Sequence, residues 1–132
     1  MPFEFCVIGT PRSAQATGAG KQAWKKAIHE VAFGLWPSNA PPVEGSVAIA
    51  IDHFVAGSAP DVDNIIKPIQ DALIGLVYVD DSQVASTRAR RRDLDGYFRA
   101  RGMSLVLAEA FSSGAEFIHL RISEWADDGS LQ

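Results

Sequence analysis

At 132 residues, with 47% hydrophobic and 21% charged residues, the chain has the size and composition of one soluble globular domain rather than of a disordered or fibrous protein. No apolar run reaches the ~20 residues of a membrane-spanning helix, and the first residues lack the pattern of a secretory signal, so we expect a cytoplasmic protein. Cys6 is the only cysteine, which excludes an intrachain disulfide and a cysteine-based zinc site. We expect one domain over residues 1–126 and a flexible tail over residues 127–132.

Charge is unevenly distributed along the chain. The formal net charge is −4, which provides no overall attraction to nucleic acid. Six of the twelve basic residues nevertheless lie between Arg88 and Arg101, and Lys21, Lys25 and Lys26 lie close together in the sequence. Two interpretations stay open, a local basic surface that binds a polyanion and a solvated face without a partner.

Hydrophobic patterning in the first half of the chain predicts a strand, a helix and a second strand. Residues 3–8 form a short β-type run that ends at Gly9, and a loop of small and polar residues follows. Apolar residues recur at helical spacing over residues 21–35, before a proline-rich segment. Residues 47–55 alternate as a strand does, with His53 on one face and Asp52 on the other.

The second half predicts two helices and several extended segments. A helix is expected over residues 63–74, with Gly75 as its stop, and Pro68 within it predicts a late start or a kink. Residues 76–79 are expected to form a strand, and residues 83–92 a second extended arm. A helix over residues 104–111 and a strand over residues 116–122 complete the pattern.

Acidic side chains are concentrated between Ser58 and Val84. This stretch holds five aspartates and no glutamate, namely Asp61, Asp63, Asp71, Asp80 and Asp81. In extended backbone, residues two apart face the same side, so the first two carboxylates can converge on one point. Lys67 follows Asp63 at a spacing that brings the two together once a helix has begun. A third carboxylate from the neighbouring strand end would complete a Mg²⁺ site, and alternation allows only one of Asp80 and Asp81 to serve.

Each acidic group also has structural interpretations. Asp61 or Asp63 suits a helix cap, and the Asp80–Asp81 pair suits a polar turn. A calcium loop of the EF-hand type that starts at Asp61 fails, because its sixth position is Ile66 instead of glycine and its twelfth is Ala72. The D-x-D motif of a sugar-nucleotide transferase is conceivable, although such enzymes need a larger nucleotide-binding fold.

The stretch "PDVDNIIKPIQDALIGLVYVDDSQV" resembles the signature of the RusA family of Holliday junction resolvases. Its landmarks are D-x-D-N-x-x-K, then D-A-L, a glycine-containing turn and D-D-x-Q-V. The resemblance implies a small α/β (α+β) domain in which a mixed β-sheet packs with two to three helices. It further implies a homodimer that cuts four-way DNA junctions with Mg²⁺, which Mn²⁺ can replace. The family's catalytic residues match Asp61, Asp63 and Asp81, which would bind the metal, and Lys67.

Other residues would assist such a site. Asn64, Asp71 and Asp80 are candidates for a supporting role around the metal ligands. An acidic site needs a basic rim to bind DNA, and the candidates for that rim are Arg12, Lys21, Lys25, Arg88, Arg90, Arg91 and Arg92. Tyr97 and Phe98 could stack on unpaired bases or pack in the core. The three histidines are scattered singly and receive no chemical role, and a relative that binds DNA or protein without cleaving remains the alternative function.

Overall fold

A computed structural model of the chain describes residues 2–9, 18–55, 62–94, 103–127, 129 and 131, and for residues 18, 19, 62 and 63 it describes the backbone alone. Four strands and three helices alternate along this part of the chain. In order they are β1 (Phe3–Ile8), α1 (Gly18–Leu35), β2 (Val47–Val55), α2 (Val62–Leu73), β3 (Val84–Asp93), α3 (Leu105–Ser112) and β4 (Phe117–Glu124). None of the described helices is long and apolar enough to cross a membrane.

The strands form one mixed sheet in the order β1–β4–β2–β3. β4 runs antiparallel to both β1 and β2, whereas β2 and β3 are parallel and are connected through α2. The predicted α/β fold with a mixed sheet and two to three helices is therefore confirmed. Because β3 is an edge strand that follows α2, the end of α2 and the start of β3 lie at the same edge of the sheet.

Apolar side chains cover both faces of the sheet, but not to the same extent. The larger cluster joins β2 and β4 to α1 and α2, and includes Trp24, Ile28, Ile51, Ile69 and Leu120, all buried. A smaller cluster on the other face packs α3 against the sheet around the ring of Phe54. This division follows the alternation of side chains along each strand.

The aromatic residues Phe5 and Trp24 lie in the core, and Phe3 packs against it. Phe5 is fully buried and Trp24 is 6% exposed, while Phe3 packs edge-on against Trp36 with ring centroids 5.0 Å apart. Core packing therefore accounts for all three. Cys6 packs against the smaller cluster, and burial, with a smaller effect from Glu4, raises the pKa of its thiol to about 12.

The predicted strand over residues 76–79 is wrong, because these residues belong to a turn. Gly75 has a φ of +84°, and its N–H donates to the Tyr78 carbonyl at 2.7 Å. Val77 and Tyr78 are fully buried, so their apolar character reflects core packing in a turn instead of a sheet. Of the two alternatives predicted for Pro68, the late start of α2 is wrong, since the helix begins at Val62 and includes Pro68, and the kink stays a prediction.

Candidate active site around Lys67 and Asp81

Lys67 and Asp81 meet at the edge where α2, the following turn and β3 adjoin. Lys67 projects from α2, and Asp81 begins the short 3₁₀ helix Asp81–Gln83 that leads into β3. The Lys67 Nζ lies 3.3 Å from Asp71 Oδ1 and 3.7 Å from Asp81 Oδ2. The structure therefore places one ammonium between two carboxylates of the predicted acidic group, in a position open to solvent.

The two carboxylates keep Lys67 charged. The hydrogen bond to Asp71 is the largest influence on the pKa of Lys67, the charges of Asp71 and Asp81 act in the same direction, and together they raise this pKa. An amine whose pKa is raised stays protonated at neutral pH. Lys67 is therefore a cation at neutral pH, held beside the carboxylates of Asp71 and Asp81.

Asp80 and Asp81 face different partners. Asp80 is the N-cap of the 3₁₀ helix and accepts a hydrogen bond from Ser82 N at 3.1 Å. The Ser82 side chain and backbone lower the pKa of Asp80, as expected for a capping carboxylate. Because Asp80 is bonded to the backbone of its own turn, Asp81 is the member of the pair that faces Lys67.

Gln83 fastens this turn to a distant segment, and it is not among the predicted site residues. Its Oε1 accepts hydrogen bonds from Val79 N at 2.8 Å and Asp80 N at 3.0 Å. Its Nε2 donates to the carbonyls of Val43 at 2.7 Å and Gly45 at 2.8 Å. A glutamine three residues after a capping aspartate is the pattern of a capping box, so the D-D-S-Q sequence contained the signal.

Two further hydrogen bonds join the elements that carry the site. The Tyr78 hydroxyl donates to the Gln70 carbonyl at 2.6 Å, and burial, reinforced by the nearby charges of Asp71 and Asp81, raises the pKa of Tyr78. The Gln70 side chain donates to Thr87 Oγ1 at 3.1 Å, which joins α2 to β3. The turn that carries Asp81 is thus held against the same helix that carries Lys67.

Part of the predicted metal site lies outside the described residues. Asp61 is not described, and Asp63 is described only as a backbone position in the first turn of α2, four residues before Lys67. Asn64 lies beside it and is partly buried. Within the described ranges, no group of three or more His, Cys, Asp or Glu side chains is arranged to hold a metal ion. The metal ligand set of Asp61, Asp63 and Asp81 stays a prediction.

The basic residues predicted to bind DNA lie on different surfaces. Lys21 and Lys25 are on α1, while Arg12 lies outside the described residues. On β3, Arg88 and Arg90 point away from α2, because both are paired with Asp52 on the opposite face of the sheet. Strand alternation places Arg92 with them, over the Phe54 ring at 5.9 Å, and places Arg91 on the side of α2.

A buried carboxylate, Asp52, explains why two of these arginines are held in place. Asp52 is 5% exposed and accepts a hydrogen bond from Arg90 Nε at 2.6 Å. Burial favours the neutral acid, but the neighbouring His119 and Arg90, with a further charge from Arg88, lower the pKa of Asp52 to about 2. Arg90 therefore has a structural role as the partner of a buried charge.

His119 extends this polar group across the sheet. Its Nε2 lies 2.5 Å from Glu4 Oε2, and its Nδ1 lies 4.0 Å from Asp52 Oδ2. Glu4 in turn accepts from the hydroxyl of Ser104, the N-cap of α3, at 2.8 Å. None of Glu4, Asp52 and His119 is among the predicted site residues, and the one signal was an aspartate within a mostly apolar strand.

Carboxylates arranged around a fixed cation at an exposed sheet edge are the groups that phosphoryl-transfer enzymes use. The sequence model of one protein family, described as endodeoxyribonuclease RusA, matches residues 10–97, more than half of the chain. The protein belongs to the RusA endodeoxyribonuclease family. No curated protein matches the chain.

Proposed function

We propose that the protein is a Mg²⁺-dependent endonuclease that resolves four-way DNA junctions by paired phosphodiester hydrolysis, in recombination and repair. The observation that carries this proposal is the Lys67 ammonium held between Asp71 and Asp81, at 3.3 and 3.7 Å. It occurs inside the part of the chain that matches an endodeoxyribonuclease family. The family indicates the reaction class, which is the cleavage of DNA. The choice of a four-way junction as the substrate is our proposal.

Asp81, the one proposed metal ligand whose side chain is described, suits a hard divalent cation. The Asp81 side chain is 42% exposed, so its oxygens are accessible, and Asp80 is withdrawn into its capping bonds. Carboxylate oxygens are the ligands that Mg²⁺ prefers, with waters at the remaining positions. Asp61, Asp63 and Asp81 would hold the ion, and Mn²⁺ would substitute for it. When bound, the ion would supply an activated water and relief of charge on the reacting phosphate.

Lys67 would act on the phosphate directly. Its side chain is 67% exposed, and its ammonium is a compact charge that can approach a phosphate oxygen. Because negative charge on the phosphate is redistributed in the transition state, a cation fixed beside it stabilises that state more than the bound substrate. Asp71 positions this cation through the i,i+4 hydrogen bond along α2.

A homodimer would supply the second cut. One protomer carries one Lys67–Asp81 site, whereas resolution requires a nick in each of two opposed strands. A four-way junction has approximate two-fold symmetry, which a C2 dimer matches by geometry. We therefore propose that two protomers face one junction.

The direct test is incubation of the purified protein with a labelled four-way junction and with a linear duplex of the same sequence, each with and without Mg²⁺. We expect paired nicks in the junction only when Mg²⁺ is present. Lys67→Ala should retain junction binding and lose cleavage. The matched control is Lys26→Ala, because Lys26 is also an exposed lysine in an i,i+4 pair, with Glu30 at 3.8 Å, and this variant should cleave normally.

Four outcomes would count against the proposal. Equal cleavage of the linear duplex would remove the junction preference, and cleavage without a divalent ion would remove the metal. Binding of the junction without cleavage under any divalent ion would favour a non-catalytic DNA-binding relative. If Lys67→Ala loses binding and cleavage equally, Lys67 contributes to affinity alone.

A further inference from the structure

Among the residues that the structure describes, a helix covers the face of the sheet opposite α2 at one end only. There α3 packs through Ala110 onto Phe54 and Phe117. At the other end, β2 presents the small side chains of Ala48 and Ala50, and an open groove of about 290 Å³ lies above them. The central strand thus forms a shallow floor between two neighbouring strands with longer side chains.

Basic and hydroxyl side chains line this groove. β3 contributes Ser86 and Arg88, and β4 contributes His119, Arg121 and Ser123. No carboxylate is among the described residues that line it. Because β2 separates the two walls, their backbones are about 10 Å apart, a width that suits several phosphates along a chain better than one small anion.

The carboxylates of Asp52 and Glu4, on the same face of the sheet as the groove, already have partners. Asp52 accepts the short hydrogen bond from Arg90, and Glu4 is paired with His119 and Ser104. Burial disfavours the charged form of Glu4, but its hydrogen bonds with His119 and Ser104, with smaller charge effects of His119 and Arg121, lower the pKa of Glu4.

Arg88 and Arg121 remain able to bind a ligand. The Arg88 side chain is 59% exposed and lies 3.7 Å from Asp52 through one of its nitrogens, which leaves its other N–H groups facing solvent. Arg121 is exposed, and it has no ion pair within 4.0 Å among the residues that the structure describes. Three arginines here face two carboxylates, so the groove is positively charged although the whole chain is acidic.

We propose that this groove binds phosphodiester groups of a DNA arm that lies outside the cleavage site. This inference rests on the proposed function, because that function makes branched DNA the ligand. It adds a second surface at which the protein contacts that DNA. β3 is the edge strand that separates the groove from the Lys67–Asp81 site: Ser86 and Arg88 face the groove, while Thr87 between them bonds to Gln70 of α2. A branched DNA that passes around this edge contacts both surfaces, whereas a straight duplex at the cleavage site contacts only one.

The test compares single charge removals in the full-length protein. Arg121→Gln should weaken binding of the four-way junction about three- to tenfold, and should reduce the slope of log K against log salt concentration by about 0.9 for each lost phosphate contact. Cleavage at saturating junction should be unchanged, because Lys67 and Asp81 are intact. Lys26→Gln removes one exposed positive charge from α1 and should change neither measurement. Ser123→Asp adds a carboxylate to the groove and should weaken binding more than Arg121→Gln does.

Each outcome decides one question. If the wild-type protein binds and cleaves the junction but Arg121→Gln and Ser123→Asp bind like it, the groove proposal fails and the proposed function stands. If the wild type binds without cleaving and both variants weaken binding, the groove proposal stands and the nuclease function fails. If Lys26→Gln weakens junction binding as much as the groove variants do, the effect is one of overall charge, and the proposal is overturned. If the groove variants no longer have the mass of a dimer, the groove is a subunit interface, and the proposal is overturned as well.

Discussion

At the scale of single residues, the adjacent aspartates Asp80 and Asp81 are separated by the direction of the backbone. Asp80 caps the 3₁₀ helix, and Asp81 lies beside the Lys67 ammonium. The sequence predicts that only one of the pair can serve the site, because neighbouring side chains in an extended segment face opposite sides. The sequence identifies Asp81 as the site residue only through the family resemblance. The hydrogen bond by which Asp80 caps the turn depends on the geometry of that turn, which the sequence alone does not reveal.

Substitutions at these two positions should therefore have opposite effects. Asp81→Asn keeps the shape of the side chain and should leave the melting temperature within about 1 °C, while cleavage falls at least about 100-fold. Asp80→Ala removes the cap and should lower the melting temperature by about 3 to 5 °C, with much of the cleavage retained. Thermal unfolding and junction cleavage of both variants provide the comparison. Cleavage abolished by Asp80→Ala but not by Asp81→Asn would reverse the assignment.

At the scale of elements, the alternating strands and the periodic helices were predictable, and the turn before Asp80 was not. Residues 47–55 alternate over a full strand, and β2 has those bounds. Residues 76–79 have the same apolar composition but lie in a turn whose Val77 and Tyr78 are buried. A run of four apolar residues does not distinguish a strand from a buried turn, because apolar composition indicates burial and not backbone pairing.

The candidate site was predictable to a similar degree. Spacing along α2 predicts that Lys67 approaches Asp63, which stays a prediction because the Asp63 side chain lies outside the described part, whereas the observed partners of Lys67 are Asp71 and Asp81. The contacts of Gln83 with Val43 and Gly45 span about forty residues, and no local pattern reveals such a contact. The same limit applies to Asp52 and Arg90, which are brought together only by the pairing of β2 with β3.

Gln83 should control the position of the whole turn. Gln83→Ala removes two bonds to backbone N–H groups and two to backbone carbonyls, and should destabilise the fold by about 2 kcal/mol. It should also slow cleavage more than it weakens junction binding, because Asp81 is less firmly placed. Gln83→Glu keeps the acceptor for Val79 and Asp80 but cannot donate to Val43 and Gly45. Both variants should show a lower melting temperature and a lower cleavage rate than the wild type. If Gln83→Glu unfolds and cleaves like the wild type, the contact with residues 43–45 is unimportant.

At the scale of the whole molecule, one polar group connects all four strands and α3. It runs from Ser104 through Glu4, His119 and Asp52 to Arg90. Burial disfavours the charged imidazole, but the carboxylates of Asp52 and Glu4 outweigh that effect and raise the pKa of His119. The protonation of one side chain thereby affects how firmly the strands and α3 are held together.

Stability should depend on pH through this group. The ordinary pKa of histidine is 6.5 and the folded state raises it, so charged His119 contributes fully below about pH 6.5, and this contribution is lost as the pH rises through the folded pKa. Asp52 behaves oppositely: its pKa falls from 3.8 to about 2, so its contribution is lost as the pH falls towards 2. The difference in melting temperature between wild type and His119→Gln should therefore be largest near pH 5 to 6 and shrink towards pH 9.

The comparison with a variant is necessary because His53 opposes this trend. Burial lowers the pKa of His53, despite its hydrogen bond to Glu116, so its effect on stability is lost as the pH falls below about 6.5. His53 is present in both proteins, and its effect cancels in the difference. A difference that does not change between pH 5 and pH 9 would show that folding does not shift the pKa of His119 and would contradict this prediction.

Oligomeric state is the property of the whole molecule on which paired cleavage depends. Light scattering at micromolar concentration should give twice the 14.2 kDa of one protomer. A co-refolded mixture of wild type and Asp81→Asn should contain mixed dimers with one intact site, and these should release singly nicked junctions instead of resolved duplexes. A mixture of wild type and Lys26→Gln, refolded in the same way, should still make paired nicks, since both sites are intact. A strict monomer that makes paired nicks would contradict this arrangement, because each protomer would then have to rebind and cut the two strands independently.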